Sequence, residues 1–308
     1  AESSEWSQSS FTYINDGPEG WAQVHFPQYL HIEAIGMVKD AALKRLGFKE
    51  TATDVNIRTY GTNHPALNTD VSIKINNEEF NLTQQGFICR DNSLNLIAFD
   101  KNSAAPYIGV KFKWYNRGNR ACGREPWVIN NYVPGDMLTG DGFDLIQFVD
   151  NVQEGDSVIL FSIGDAQFSA WPAVAKTKLG ELGISVAQID GLANGEPVVI
   201  FARKGTAPGL ALIERPSSAP ADTEELSVDK TVTGRYSSGS MHTALIGPAV
   251  NWEKLITRQA DTEADDIVSF DVIGIKSNGD QEFVLSDATG DQDLTILDAN
   301  QFPYMKLV

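Results

Sequence analysis

The sequence predicts an α+β protein that combines a central mixed α/β domain with an antiparallel β-sandwich. Three observations support this: short alternating strand patterns up to residue 115, alternating helix and strand patterns from 141 to 202, and β-rich composition after a Pro/Ser/Ala-rich linker at 216–222. A chain of 308 residues can bury more than one core. We expect a β segment at 1–49, the α/β domain at 50–214 and an acidic β-sandwich at 215–308, with the first segment completing the sandwich.

Strand patterns dominate the first third of the chain. Between Phe11 and Phe26, two aromatic alternating pieces surround an Asn-Asp-Gly-Pro turn, which is typical of a β-hairpin. Four further runs alternate apolar and polar residues as half-buried strands do. They are 54–60, 71–75, 94–99 and 108–114.

Helical and strand patterns alternate in the next part of the chain. Apolar residues recur at helical spacing over 143–152, with Asp141 near the expected N-terminus, and again over 168–182, with Gly183 suited to end the helix. Continuous apolar runs at 158–163 and 198–202 are typical of strands covered on both faces. This alternation predicts an α/β unit.

The last third returns to strand patterns. Residues 267–275 and 282–285 flank a turn that contains Asn278-Gly279, a strong short-range signal for a hairpin. Residues 302–308 look like the beginning of another strand, and the chain begins with Ala1. We therefore expect a piece of a larger protein, truncated at its C-terminal end.

The charge balance limits the classes of partner. With 24 Lys and Arg against 41 Asp and Glu, the formal net charge is −17, so the net positive charge that favours nucleic acid or anionic lipid is missing. No run of 18 apolar residues could span a bilayer. We expect a protein or glycan partner at the cell surface, without nucleic acid binding or membrane insertion.

The two cysteines, Cys89 and Cys122, allow two interpretations. A disulfide between them would suit an extracellular compartment, and the alternative is two independent buried thiols. A catalytic thiolate at Cys89 would need a nearby histidine, and none of the four histidines lies in a recognisable catalytic setting. We therefore expect no catalytic residue here.

Two groups of residues are candidates for binding. Asp287, Asp291 and Asp293 have the ligand type that calcium prefers, although without EF-hand spacing, and a solvated acidic turn is the alternative. We expect no other cofactor. Aromatic and amide side chains around a Gly/Arg/Asn-rich loop could form a sugar platform, with core packing as the alternative; they are Trp114, Trp127, Asn131 and Tyr132.

Several central motifs resemble a known domain. Residues 142–160 (GFDLIQFVDNVQEGDSVIL), 178–183 (KLGELG) and 203–205 (RKG) resemble the interleukin-like EMT inducer domain, also called the GG domain. The resemblance covers roughly 53–213 and implies a non-enzymatic α/β fold. Animal members of that family contain more cysteines than this chain.

The flanking segments resemble a second group of proteins. Residues 11–13 (FTY), 19–28 (EGWAQVHFPQ), 204–209 (KGTAPG) and 245–252 (LIGPAVNW) are similar to non-catalytic β-rich regions of large surface proteins exported by the type IX route. In such proteins a gingipain-like cysteine peptidase domain lies elsewhere in the chain. The resemblance implies an accessory or scaffold role and an extracellular or cell-surface location.

Two hypotheses about function follow. The first is a non-catalytic binding or scaffold region of a secreted or surface-displayed multidomain protein. The alternative is a hydrolase, either a cysteine peptidase through Cys89 or a glycosidase with paired carboxylates. A Cys–His contact, or two carboxylates facing each other across a cleft, would distinguish the two.

Overall fold

A computed structural model describes most of the chain and divides it into two compact units. One unit is residues 50–235, and the other combines 1–49 with 236–308. Side chains are described from residue 48 onward. The described residues are 12–14, 21–23, 30–31, 37–40, 45–107, 120–123, 129–217, 221–239, 242–243, 245–257 and 269–308.

Strands make up most of the regular structure, and every described strand pair is antiparallel. The fold is therefore β-rich with few helices. In chain order the strands are β1 (Thr12–Ile14), β2 (Trp21–Gln23), β3 (Leu30–His31), β4 (Met37–Asp40), β5 (Arg45–Phe48), β6 (Glu50–Tyr60), β7 (Ser72–Ile75), β8 (Glu78–Asn81), β9 (Ser93–Phe99), β10 (Ala121–Cys122), β11 (Ile129–Tyr132), β12 (Ser157–Ile163), β13 (Val199–Arg203), β14 (Leu212–Glu214), β15 (Glu225–Arg235), β16 (His242–Thr243), β17 (Lys254–Leu255), β18 (Phe270–Ile275), β19 (Gln281–Ala288), β20 (Gln292–Asp293) and β21 (Tyr304–Leu307).

The α-helices within the described residues are short and belong to the unit at 50–235. They are α1 (Leu145–Asn151), α2 (Ala173–Lys178) and α3 (Val186–Asp190). Within the described ranges, no helix is long and apolar enough to cross a membrane.

Two packed sheets form the centre of the 50–235 unit. A six-stranded sheet has the order β10-β11-β9-β12-β13-β14, and a four-stranded sheet has the order β15-β6-β7-β8. Side chains from both sheets share one buried cluster, including Ile57 and Ile73 from the smaller sheet and Phe99 and Phe161 from the larger. The two sheets therefore bury their facing surfaces against each other.

The helices cover the other face of the six-stranded sheet. Leu160 and Ile200 point to this face and share a core with Phe148 of α1 and Ala175 of α2. Because successive side chains of β12 point to opposite faces and both faces are covered, six of its seven residues are buried. This double burial explains the continuous apolar run of the sequence.

The predicted helix over 168–182 is divided in the structure. A 3₁₀ turn at Phe168–Ala170, helix α2 and a second 3₁₀ turn at Leu179–Leu182 replace it. Pro172 lies at the N-cap of α2, and Gly183 ends the segment with φ of +87°. Both interruptions have a backbone cause, because proline lacks an N–H and positive φ favours glycine.

The strand after the linker belongs to a different unit from the one that we predicted. We expected everything from 215 onward to join the sandwich, but β15 pairs with β6 over its full length, from Glu225 opposite Tyr60 to Arg235 opposite Glu50. The boundary between the units therefore lies after Arg235. The linker connects β14 of one sheet to β15 of the other.

The other unit is also β-rich. Strands β19, β18 and β21 form a three-stranded sheet, and the predicted hairpin around Asn278-Gly279 is present as β18 and β19. A small core contains Val272, Phe302 and Met305. The N-terminal hairpin is present as β1 and β2, whereas the strand predicted at 108–114 lies outside the described residues.

Candidate functional site

A disulfide bond fastens a loop to the edge of the six-stranded sheet. Cys89, in the loop before β9, is bonded to Cys122 of β10, with 4.9 Å between their Cα atoms. Of the two interpretations of the cysteines, the structure therefore has the disulfide. With its Sγ atom in this bond, Cys89 has no thiolate to act as a nucleophile.

Backbone hydrogen bonds place the same loop alongside β10. The N–H of Phe87 donates to the carbonyl of Gly123 at 3.0 Å, and the N–H of Gly123 donates back at 2.8 Å. The N–H of Cys89 donates to the carbonyl of Leu82 at 2.9 Å. We call residues 86–90, 120–123 and 134–141 the disulfide loop cluster.

Arg90 connects two parts of this cluster to β11. Its Nε donates to the side-chain oxygen of Asn131 at 2.6 Å, and one Nη donates to the Asn131 carbonyl at 2.7 Å. That Nη also forms an ion pair with Asp136 at 2.6 Å. The bidentate contact fixes the guanidinium plane, which a lysine could not do.

Arg120 makes the corresponding contacts from the other side of Asp136. Its Nε lies 3.5 Å from Asp136, and its Nη1 lies 2.6 Å from Asp141 and 3.2 Å from the hydroxyl of Thr139. Hydrogen bonds from Thr139 and Arg120 lower the pKa of Asp141. Two arginines and two aspartates thus hold three loop segments together.

Asn131 and Tyr132 do not form the sugar platform that we considered. Both side chains are fully buried. The Asn131 amide donates to Ser93 at 2.8 Å and to Asn95 at 2.6 Å, and the Tyr132 ring packs in the core beneath the helices. Buried side chains of this kind stabilise the sheet and cannot contact a ligand. Trp114 and Trp127 lie outside the described residues.

The exposed surface of the disulfide loop cluster is partly apolar. Phe87 is 59% exposed, Ile88 is 58% exposed and Leu138 is 42% exposed. Exposed apolar groups that are rimmed by polar residues often mark interaction sites. This cluster is therefore the best candidate for a binding surface in the described part of the chain.

The spacing of two arginines relative to the cysteines is a sequence signal for this site. Arg90 follows Cys89 directly, and Arg120 precedes Cys122 by two residues. A bond between the cysteines must therefore bring the two arginines close together. Asp136, which bridges them, carries no comparable signal in the sequence.

Two of the three candidate carboxylates at the acidic turn are engaged within the protein. Asp291 accepts a hydrogen bond from the N–H of Thr257 at 2.9 Å and lies 3.3 Å from the Lys254 ammonium. Asp293 accepts two hydrogen bonds from Thr295, which lower its pKa. Asp287 lies near the end of β19 and has a positive φ. The described residues contain no group of three or more His, Cys, Asp and Glu side chains that could hold a metal, and calcium here stays a prediction.

A buried carboxyl, Asp156, lies between α1 and β12 and contacts the loop that follows β9. Asp156 is 1% exposed and accepts hydrogen bonds from the Tyr107 hydroxyl and, at 2.9 Å, from the N–H of Lys101. Burial raises the pKa of Asp156, and the hydrogen bond from Lys101 partly offsets this. We call Lys101, Tyr107 and Asp156 the Asp156 brace.

The loop that contains Lys101 of the Asp156 brace accepts hydrogen bonds from both ends of the 50–235 unit. The carbonyl of Lys101 accepts a hydrogen bond from the N–H of Arg235 at 2.9 Å, and the carbonyl of Asn102 accepts one from the hydroxyl of Thr51 at 2.6 Å. Thr51 lies where the chain enters the unit, and Arg235 lies where the chain leaves it. A carboxyl that is buried in this way has a structural role, because substrate cannot reach it.

Comparison with known proteins does not identify the chain, since no protein-family model and no curated protein matches it. The resemblance to the GG domain thus depends on the quoted motifs alone and stays a prediction.

Proposed function

We propose that this chain is a non-catalytic binding or scaffold region of a secreted or cell-surface multidomain protein. Its disulfide loop cluster would contact a partner at the cell surface. The observation that carries the proposal is the set of exposed apolar side chains, Phe87, Ile88 and Leu138, on loops held by a disulfide and ion pairs. A rigid apolar surface loses little conformational entropy on binding.

The chemistry of the described residues favours binding over hydrolysis. Cys89 is engaged in a disulfide, which removes the nucleophile of the cysteine peptidase hypothesis. A glycosidase needs an accessible carboxyl of raised pKa, and the pKa of Asp156 is raised in a position that solvent does not reach. The alternative function, a hydrolase, thus has less support.

The disulfide also supports the proposed location, because such bonds persist in oxidising compartments. Together with the flanking motifs, it favours a protein exported by the type IX route, with a gingipain-like peptidase domain in the same chain. We propose further that the 50–235 unit is a variant of the GG domain, and that the C-terminal residues form a sandwich.

A cell-binding assay tests the proposal. The purified 308-residue chain, fluorescently labelled, is applied to cells of the producing organism, and saturable binding is measured. We expect binding that Ile88→Asp lowers at least about tenfold, as for a residue at the centre of an interface.

Val174→Asp is the matched control, since Val174 is 62% exposed on α2, outside the disulfide loop cluster. It should leave binding within about twofold of the wild type. Equal losses in the two variants would contradict a specific role for the cluster. Hydrolysis of a protein or chromogenic glycoside substrate by the purified chain would contradict the non-catalytic role.

A further inference from the structure

We infer that the outer edge of β15 binds an extended segment of a partner protein, which adds a strand to the four-stranded sheet and presents a carboxylate to Lys230. β15 is an edge strand of that sheet. The surface is separate from the disulfide loop cluster, because β14 beside it and β10 of the cluster form opposite edges of the six-stranded sheet. The inference adds a second contact surface and does not depend on the one proposed above.

The backbone of β15 offers a row of hydrogen-bonding groups at this edge. β15 pairs with β6 in unbroken register, so its backbone groups point alternately towards β6 and away from it. The N–H of Arg235 donates to the carbonyl of Lys101 and not to β6, which shows that every second residue points outward. Among the described residues, no backbone partner faces the outward groups of Glu225, Ser227, Asp229, Thr231 and Thr233. Unpaired N–H and C=O groups at this spacing are a template for another extended strand.

The six-stranded sheet extends beyond this edge and provides an apolar surface for the added strand. The Lys230 ammonium of β15 lies 5.4 Å from the centre of the Phe201 ring, so β15 lies over β13. Leu212 of β14 is opposite Phe201 in register and shares its face, one strand further out. Leu212 is 45% exposed, since the four-stranded sheet ends before it. A strand added to β15 would lie over Leu212 and cover it with alternate apolar side chains.

Lys230 specifies the charge of the added strand. It alternates in step with Val232, which is buried between the two sheets, so its side chain points towards the six-stranded sheet. No described carboxylate pairs with its ammonium group. An inward-pointing charge on an edge strand discourages pairing with uncharged strands, which would cover it without a partner. A strand with a carboxylate opposite Lys230 instead gains an ion pair, and this difference gives specificity.

A second copy of this chain fits the edge less well than a single strand. The six-stranded sheet of each copy extends past β15 as far as β14. In a symmetric pair of β15 strands, the β14 of each copy would therefore extend into the space that the other copy needs. A separate extended segment has no such overhang.

Binding of a designed peptide to the full chain tests the inference. The probe is the fluorescein-labelled peptide Thr-Val-Thr-Glu-Thr-Val-Thr-Val-Thr, whose glutamate faces Lys230 when the peptide pairs antiparallel with 225–233 of β15. We expect saturable binding by fluorescence anisotropy with Kd below about 1 mM, and its absence would overturn the inference. N-methylation of the three central threonines, whose N–H groups face β15, should weaken binding at least about tenfold. N-methylation of the three valines, whose N–H groups point away, is the matched control and should change binding less than about threefold. Equal losses in the two methylated peptides would overturn strand addition.

Charge exchange tests the role of Lys230. Lys230→Glu should weaken binding of the probe at least about fivefold, and a peptide with lysine in place of glutamate should bind this variant at least about fivefold better than the wild type. Lys74→Glu, at an exposed position of the inner strand β7, is the control and should stay within about twofold. Equal effects at the two lysines would overturn the assigned charge of the partner.

The oligomeric state of the free chain tests the competing occupant. We expect no dimer in analytical ultracentrifugation that Thr231→Pro, which removes an outward N–H group, dissociates. Such a dimer would overturn the inference in favour of a second copy at this edge. Each of these outcomes leaves the proposed binding through the disulfide loop cluster in place, because that proposal is tested at Ile88.

Discussion

Two loops flank strand β9 and are fastened to the six-stranded sheet by different chemistry. Before β9, the disulfide loop cluster is held by a covalent bond and by ion pairs of Arg90 and Arg120. After β9, the Asp156 brace is held by hydrogen bonds to one buried carboxyl. The first loop keeps Phe87 and Ile88 exposed, whereas the second buries Tyr107.

This difference separates the surface that we propose for partner binding from a loop that is buried within the fold. An exposed loop gains little from the hydrophobic effect, so a covalent bond compensates by restricting the unfolded chain. A buried carboxyl gains hydrogen bonds but loses hydration. Its contribution to the free energy of unfolding therefore depends on pH. The two loops should therefore respond to different perturbations.

The largest expected effect is removal of the disulfide. Replacing Cys89 and Cys122 together by alanine should lower the free energy of unfolding by about 3–4 kcal/mol, from the entropy of the enclosed loop. Chemical denaturation of the double variant and of the wild type measures the difference. A loss below about 1 kcal/mol would show that the loop is already ordered without the bond.

Next in size is a change to the carboxyl of the Asp156 brace. Asp156→Asn keeps an amide oxygen for the Lys101 N–H, but its N–H₂ group requires the Tyr107 hydroxyl to turn from donor to acceptor; with the loss of both hydrogen bonds to a carboxyl group this should cost about 1–3 kcal/mol. Asp229→Asn, at an exposed carboxylate on β15, is the control and should stay within about 0.5 kcal/mol of the wild type. Urea unfolding at neutral pH compares the two, and equal costs would refute the special role of Asp156.

The pH dependence of the brace should be smaller and of known sign. Because burial raises the folded-state pKa of Asp156, its protonated form is favoured on folding. The stability it contributes is present below its ordinary pKa of 3.8 and is lost as pH rises through the folded value. The advantage of the wild type over Asp156→Asn should therefore shrink with rising pH.

Glu181 provides a control of opposite sign for this measurement. Hydrogen bonds from Lys178 and Lys204 lower its pKa below the ordinary 4.5, so its contribution is present above that value and is lost as pH falls. The advantage of the wild type over Glu181→Gln should grow with rising pH. Urea unfolding at several pH values gives the stability advantage of the wild type over each variant. If both advantages change with pH in the same direction, the assigned directions of the two pKa shifts are contradicted.

The smallest expected effect on stability belongs to the exposed apolar residues. Ile88→Asp should change the free energy of unfolding by less than about 0.5 kcal/mol, because its side chain is already largely in water. Thermal unfolding measures this directly. A clear drop in Tm would mean that Ile88 packs within the fold, and its exposure would then no longer support a binding role.

Local patterns predicted much of the fold, and long-range pairing accounts for most of what they missed. The apolar run at 158–163 predicted β12, and the turn around Asn278-Gly279 predicted the hairpin of β18 and β19. Helix α3 was missed because five residues provide too little periodicity. The partner of β15 was missed because Val228 pairs with Ile57, far away in the sequence.

The candidate site was less predictable than the fold. The cysteine pair was visible, yet the sequence could not choose between a disulfide and free thiols. Asn131 and Tyr132 looked like ligand-binding residues because their type suits sugars, but β11 is covered on both faces, which buries them. Exposure of Phe87 and Ile88 depends on how the loop is fastened, and residue type alone cannot show this.

Hydrogen exchange tests most directly whether the disulfide loop cluster is a preformed surface. In the wild type, the amides of Phe87, Cys89 and Gly123 should exchange slowly, because each donates to a backbone carbonyl. In the double alanine variant of Cys89 and Cys122 they should exchange much faster, while the amide of Tyr107 keeps its protection. Fast exchange of the first three amides in the wild type would contradict a preformed binding surface.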